Sequence, residues 1–161
     1  PAGWIGSRQL FESIRPWDSS LLINQDGEYF TRAIVASNGV IFEPQSRVYY
    51  RSEMHGSVSQ FKPHKAPSLF ASVESFEQAV LQLGNDSAIK TLISNQYMGF
   101  IYRVYPLVPE LRKKARAKIK HYGKPTRQND VAESAVAKLL CSIFGWKFFV
   151  QLRIIRTRLK P

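Results

Sequence analysis

The sequence predicts an α+β fold, and three observations support this prediction. Two turn signals, Asp26–Gly27 and Asn38–Gly39, lie among side chains typical of strands. Two later stretches have the end signals and apolar periodicity of helices, and apolar segments typical of strands lie before and after them. Strands, helices and strands therefore follow one another in mixed order, as in an α+β protein. A chain of 161 residues suits one domain with a substantial core.

The N-terminal segment, residues 1–46, is predicted to be rich in β-structure. A short helix is expected over "SRQLFESI" and ends before Pro16, because the residue before proline disfavours the helical conformation. Residues 19–44 are expected to form two or three strands, since Asp-Gly and Asn-Gly pairs tolerate the positive φ of hairpin turns. One more strand, "RVYYR", covers residues 47–51, and a loop containing two prolines follows it.

A helix is expected from Ser75 to Gly84. Ser75 and Gln78 fit a capping box, and the apolar residues Phe76, Ala79, Val80 and Leu83 share one face. The following segment, "AIKTLISNQ", is ambiguous between helix and strand. Residues 99–106, "GFIYRVYP", are predicted to be a core strand that Pro106 ends.

The last third of the chain is predicted to contain two helices and a strand. The first helix, "PELRKKARAKIKHYG", has Pro109 in its first turn and Gly123 as its stop. The second helix, "DVAESAVAKLLCSIFG", begins with a capping box formed by Asp130 and Glu133. A long strand, "WKFFVQLRIIRTRL", is expected to follow at residues 146–159.

The positive charge of the chain is concentrated in this last part. The net charge is +11, yet residues 1–100 contain 8 Lys and Arg against 9 Asp and Glu, whereas residues 101–161 contain 15 against 3. This asymmetry indicates an anionic partner, such as nucleic acid, an acidic protein or an acidic lipid surface. No apolar run is long enough to cross a bilayer. The single cysteine, Cys141, excludes an internal disulfide and four-cysteine zinc sites, and we expect it to be buried.

Three short motifs occur in a suggestive order. "VYYR" ends in Arg51, "LFASVESFEQAV" contains Ser72, and "GFIYRV" precedes Glu133. This order resembles the arginine–serine–glutamate layout of mono-ADP-ribosyltransferases of the bacterial toxin or effector kind. The resemblance covers residues 47–155 of a predicted single domain, 1–161, and implies an ADP-ribosyltransferase-like split β-sandwich. It also implies a secreted or injected effector that acts in the cytosol of a target cell.

The resemblance further implies NAD as substrate, no metal, and transfer of ADP-ribose to an acidic macromolecular target. A carboxylate stabilises the oxocarbenium-like state formed when the nicotinamide–ribose bond breaks. By the resemblance Glu133 supplies that carboxylate, Ser72 orients it, and Arg51 holds the NAD phosphates with its forked donors. The remaining NAD-binding residues that it implies are Tyr49, Phe70 and Ser75.

Several assignments stay open at this point. Arg32 also ends a predicted strand and competes with Arg51 as the NAD-binding arginine. Ser72 competes with Ser75, which is also a natural helix cap. The capping box explains Glu133 as well as catalysis does. Gln128 and Asp130 have the spacing of an alternative glutamine–acid pair.

The basic helix supports a second hypothesis, a non-enzymatic nucleic-acid-binding module. Six of the nine residues from Arg112 to Lys120 are Arg or Lys, and like charges one turn apart repel each other. Phosphate groups would neutralise this charge and make the binding dependent on salt. The residues predicted to contact the target or nucleic acid are Arg112, Lys113, Lys114, Arg116, Lys118 and Lys120. The three histidines lack the spacing of a metal site.

Overall fold

The computed structural model describes residues 3–49, 61–126 and 135–158, and every regular element in these ranges is helical. The prediction of an α+β split β-sandwich is therefore wrong for the described chain, which contains no strand in these ranges. Short 3₁₀ turns flank the third helix. The α-helices are α1 (Arg8–Ser13), α2 (Gln25–Ala36), α3 (Ala66–Val80), α4 (Ser87–Val104), α5 (Pro109–Tyr122), α6 (Ala135–Phe144) and α7 (Trp146–Arg158).

Helix α2 replaces the predicted hairpins of residues 19–44. Asn24 precedes the helix with a φ of 61°, and Asp26 and Glu28 place negative charge in its first turn, where the helix dipole favours it. A Cβ at Gly27 in that turn would crowd Oδ1 of the Asn24 side chain, which would have to move to admit a larger residue. The Asp-Gly pair therefore serves the start of a helix rather than a hairpin turn.

The two predicted strands of the C-terminal half are also helical. Residues 99–104 form the end of α4, where Phe100, Ile101, Tyr102 and Val104 are all buried. Residues 146–158 form α7. A segment with apolar residues on nearly all sides lacks the single stripe that distinguishes an amphipathic helix from a strand. This explains why both segments were assigned to the wrong class.

Helix α3 begins at Ala66, nine residues before the predicted start at Ser75. Pro67 lies in its first turn, where proline is tolerated because the first amide groups of a helix have no intrahelical acceptor. Ser75 is therefore inside the helix and is not its cap. Of the predicted strand at residues 47–51, residues 47–49 belong to no helix or strand, and the other two lie outside the described residues.

Three predicted helices are confirmed. Helix α1 lies within the predicted segment, with the Ser7 hydroxyl accepting a hydrogen bond from the amide of Leu10. Helix α5 begins at Pro109 and ends before Gly123, whose φ of 110° suits glycine. Helix α6 matches the described part of the helix predicted at residues 130–145, and its Cys141 is buried as expected. Burial raises the pKa of the Cys141 thiol.

The chain divides into two compact units, Pro1–Ile89 and Lys90–Pro161, which we call unit 1 and unit 2. In unit 1, α1 and α3 pack against α2 around a core that includes Leu21, Ile23, Phe30, Ala33, Leu69, Phe70 and Val73. In unit 2, α6 packs against α7. The buried residues of unit 2 include Ile93, Tyr97, Phe100, Ile101, Ala115 and Cys141.

Candidate functional site

The residues assigned by the ADP-ribosyltransferase resemblance are only partly described. Arg51 and Glu133 lie outside the described residues, as do Gln128 and Asp130. Tyr49 is 91% exposed, and Phe70 is buried in α3 within the core of unit 1. Neither aromatic side chain is therefore part of a formed nucleotide pocket in the described structure.

The two candidate serines lie on α3 and link it to α2. Ser72 is buried; its hydroxyl donates to the carbonyl oxygen of Leu69 at 2.8 Å and accepts from Nδ2 of Asn24 at 3.1 Å. The hydroxyl of Ser75 donates to Oε1 of Glu28 at 2.6 Å. Each serine therefore has a structural role that explains its position.

Sequence reasoning missed Glu28, which is only 2% exposed and is the centre of a polar cluster in unit 1. Arg32 reaches both of its carboxylate oxygens, with Nε 2.8 Å from Oε1 and Nη2 2.9 Å from Oε2. Nη2 of Arg15 lies 3.2 Å from Oε1. Arg32, the competitor for the NAD-binding role, is thus engaged with Glu28. The spacing of Glu28 and Arg32, four residues apart, was the sequence signal for this pair.

The cluster keeps Glu28 ionised. Burial favours the neutral carboxyl and acts to raise the pKa of Glu28, but hydrogen bonds from Arg32 and Ser75 and the charges of Arg32 and Arg15 outweigh it. The pKa of Glu28 is therefore below its ordinary value. Arg32 also donates to the carbonyl oxygens of Arg15 and Pro16, so its guanidinium holds the chain after α1 against α2.

The six predicted contact residues on α5 fall into two groups, one half-buried and one exposed to solvent. Arg112 and Lys118 are half-buried. Arg112 donates from Nε to the carbonyl oxygen of Leu107 and from Nη2 to that of Pro106, both at 2.7 Å, and its guanidinium lies 5.0 Å from the centroid of the Tyr105 ring. The ammonium of Lys118 lies 5.9 Å from the ring centroid of Tyr97. These two cations are part of the packing of unit 2.

The other four cations of α5 are exposed to solvent: Lys113, Lys114, Arg116 and Lys120. No described residue gives any of them a hydrogen bond or an ion pair. Arg116 and Lys120 are four residues apart and therefore neighbours on one face, where their like charges repel. An anion bound between them would relieve this repulsion.

A cleft of about 380 Å³ lies beside this face, within unit 2. Among the described residues that line it, Arg116, Lys120 and Lys147 are cationic and the others are apolar. Helices α4, α5 and α7 and the chain after α5 all contribute to it. The described residues that line it are Met98, Ile101, Arg116, Ile119, Lys120, Pro125, Trp146 and Lys147.

Helices α6 and α7 also expose six large apolar side chains, which we call the apolar row: Leu139, Ile143, Phe144, Phe148, Leu152 and Ile155. Each is between 42% and 62% exposed. On α7 they recur at intervals of four and three residues, which places them on one side of the helix. The opposite side of the same helix packs inward, since Trp146 and Phe149 contact the buried Cys141.

The described residues were also compared with the requirements of a metal site and of a membrane-spanning helix. No group of three or more His, Cys, Asp or Glu side chains in the described ranges is placed to hold a metal ion. Among the described helices, none has both the length and the apolar character needed to span a membrane. Comparisons with protein-family models, curated proteins and solved structures gave no match.

Proposed function

We propose that this chain binds the surface of anionic membranes through unit 2. The observation that carries the proposal is the apolar row on α6 and α7 together with exposed cations in the same unit. A helix with exposed apolar residues and flanking Lys or Arg binds in the plane of a bilayer interface, its apolar side among the acyl chains. Unit 2 has both features.

The apolar row is continuous from one helix to the next. The rings of Phe144 on α6 and Phe148 on α7 have centroids 5.2 Å apart, which joins the two parts of the row. Single exposed apolar side chains are common on proteins, whereas a contiguous group marks an interaction surface. Each such side chain would gain roughly 1 kcal/mol or more on leaving water for an apolar phase.

The charge of the same region selects an anionic bilayer. Lys138 and Lys147 are exposed on α6 and α7, and Lys147 is next to Phe148 of the apolar row. Arg116 and Lys120 line the same cleft as Lys147. A basic residue close to an anionic membrane surface contributes about 1 kcal/mol to binding. Lipid head groups would therefore meet cations where the acyl chains meet apolar side chains.

The nucleic-acid alternative uses only half of these features. A phosphate backbone would neutralise the exposed cations of α5, but it would leave the apolar row in water. ADP-ribosyltransferase activity and its NAD substrate stay predictions. Of the strands that the implied active site needs, residues 99–104 are the end of α4, and residues 47–49 belong to no helix or strand. Membrane-surface binding is favoured because it uses both the cations and the apolar side chains.

Sedimentation with sucrose-loaded vesicles tests the proposal. We expect the chain to pellet with phosphatidylcholine vesicles that contain about 30 mol% phosphatidylserine, a composition chosen to resemble an anionic leaflet. With vesicles of pure phosphatidylcholine, the chain should stay in solution. The double variant Phe148→Ser/Leu152→Ser should bind at least about tenfold more weakly, because each apolar side chain contributes of the order of 1 kcal/mol.

The matched control is Ile34→Ser/Leu83→Ser, which removes two exposed apolar side chains from unit 1. It should bind vesicles like the wild type, and both variants should show wild-type circular dichroism. Equal losses in the two variants, or no pelleting by the wild type, would contradict the proposal. Tight, salt-dependent binding to duplex or single-stranded nucleic acid that is unchanged by Phe148→Ser/Leu152→Ser would establish the alternative in its place.

A further inference from the structure

We infer that the cleft between α4, α5 and α7 binds an amphiphilic phosphate, a phosphomonoester group attached to an aliphatic chain. Its volume of about 380 Å³ lies within the range of small-molecule pockets. Its described lining combines apolar side chains with three cations, and none of these described residues is a carboxylate. The inference goes beyond membrane-surface binding, because it assigns a defined ligand to a site that is separate from the apolar row.

The three described cations of the cleft are the candidate donors to a phosphate group. Arg116 and Lys120 lie one turn apart on α5, and Lys147 joins them from the first turn of α7. Arg116 supplies the forked donors that match phosphate oxygens, while the two ammonium groups act as point charges. A phosphomonoester carries between one and two negative charges at neutral pH and presents three acceptor oxygens, so it fits three donors better than a carboxylate does.

The apolar residues of the lining are the candidate contacts for an aliphatic chain. They include Met98 and Ile101 from α4, Ile119 from α5 and Trp146 from α7. The indole of Trp146 is held edge-on against the rings of Tyr102 and Tyr105, with centroid distances of 4.7 and 5.0 Å. A rigid aromatic wall beside a flexible methionine side chain accommodates an aliphatic chain without requiring one exact shape.

The polarity of the lining separates this ligand from a nucleotide. Recognition of a base requires hydrogen-bond acceptors as well as donors. Among the residues that the structure describes, the side chains lining the cleft are apolar apart from three cations and the indole N–H, and none of these carries an oxygen. An aliphatic chain needs no hydrogen-bond partners. The apolar side chains of the lining can bind it through apolar contacts alone.

Isothermal titration calorimetry of the full chain with monododecyl phosphate, below its micellar concentration, tests the inference. We expect saturable binding at one site, with at least about tenfold weaker binding for dodecyl maltoside, inorganic phosphate and adenosine monophosphate. The variant Arg116→Gln/Lys120→Gln should bind the ligand at least about tenfold more weakly, since it loses two charged contacts.

The control Lys113→Gln/Lys114→Gln removes the same charge from the same helix at positions outside the cleft. Its affinity should stay within about twofold of the wild type. Equal losses in the two variants would overturn the inference, because the ligand would then respond only to the general field of α5. Equal or tighter binding of dodecyl maltoside, inorganic phosphate or adenosine monophosphate would overturn the assigned ligand class.

A vesicle arm distinguishes a lipid head group from a free amphiphile. If the cleft accepts bilayer lipid, phosphatidic acid vesicles should bind more tightly than phosphatidylserine vesicles of equal charge, and Arg116→Gln/Lys120→Gln should remove that preference. If Arg116→Gln/Lys120→Gln leaves the affinity for both kinds of vesicle unchanged, while the wild type still binds monododecyl phosphate, the ligand of the cleft is a free amphiphile and not a bilayer lipid. Phe148→Ser/Leu152→Ser should keep monododecyl phosphate binding, so failure of membrane docking and failure of the cleft are separable.

Discussion

Arg32 binds both carboxylate oxygens of Glu28 from one turn farther along α2, at 2.8 Å through Nε and 2.9 Å through Nη2. The same guanidinium donates to two backbone carbonyl groups after α1, and the same carboxylate accepts from Ser75 on α3. One ion pair therefore connects three segments of unit 1 that are far apart in sequence. Its energetic contribution is accessible to direct measurement.

Replacing Glu28 by glutamine should destabilise unit 1 by roughly 3 kcal/mol, the cost typical of removing one partner of a buried ion pair. The reason is that Arg32, whose side chain is only 12% exposed, would keep its charge without a counterion. Urea unfolding followed by circular dichroism measures the difference. The exposed Glu12→Gln on α1 is the control, and equal midpoints for the two variants would contradict the structural role of Glu28.

The same carboxylate should make the stability of unit 1 depend on pH in the acid range. The folded-state pKa of Glu28 lies below its ordinary value of 4.5, so the unfolded chain takes up a proton first as the pH falls. The stabilisation is complete above pH 4.5 and is lost as the pH falls through the lowered pKa. As the pH is lowered from neutral to below the folded-state pKa of Glu28, the free energy of unfolding should therefore fall more for the wild type than for Glu28→Gln.

Urea unfolding as a function of pH tests this expectation. Asp18→Asn is measured alongside, because side-chain and backbone hydrogen bonds from Ser20 lower the pKa of Asp18 as well. An acid-induced loss of stability that is the same in the wild type and in Glu28→Gln would assign the effect to other carboxyl groups.

Arg112 and its neighbour Lys113 should differ in their effect on stability although both carry one positive charge. Arg112→Gln removes two hydrogen bonds to the carbonyl oxygens of Pro106 and Leu107, and we expect a loss of about 2 kcal/mol. Lys113→Gln removes only an exposed charge and should change the stability by less than about 0.5 kcal/mol. Thermal unfolding of both variants measures the contrast, which an equal shift would refute.

Two alanines of α5 offer a test of how the helix is oriented. Ala115 is fully buried, whereas Ala117 is exposed. Ala115→Leu should destabilise unit 2 by about 1–3 kcal/mol because the packed side has no room for three more carbon atoms. Ala117→Leu should be nearly neutral, since both residues have good helix propensity. If Ala117→Leu were the more damaging change, the buried and exposed sides of α5 would be reversed.

The sequence predicted those helices whose ends and faces have clear local signals. Helix α5 has Pro109 in its first turn, Gly123 after its last turn and a narrow apolar stripe, and its bounds were predicted closely. Helix α2 was missed because Asp26–Gly27 is also a hairpin signal, although in the structure both residues lie in the first turn of the helix. Helix α7 was missed because it has apolar residues on both its packed and its exposed sides.

The candidate sites were predictable to a smaller extent. The six cations of α5 were identified from the sequence, but their division into packed and exposed groups depends on tertiary contacts such as that of Arg112 with Tyr105. The cleft combines side chains separated by up to 49 positions, from Met98 to Lys147, and no local pattern relates them. The apolar row was likewise hidden, because its residues on α7 were assigned to a strand.

The polar cluster around Glu28 also constrains how this sequence can diverge. A change at Glu28 alone or at Arg32 alone leaves a charge in a largely buried place, so single steps away from the pair are penalised. Replacing both residues together by apolar side chains of similar volume is often neutral or favourable. In descendants of this chain, these positions should therefore change as a set, with the Ser75 hydroxyl becoming dispensable at the same time.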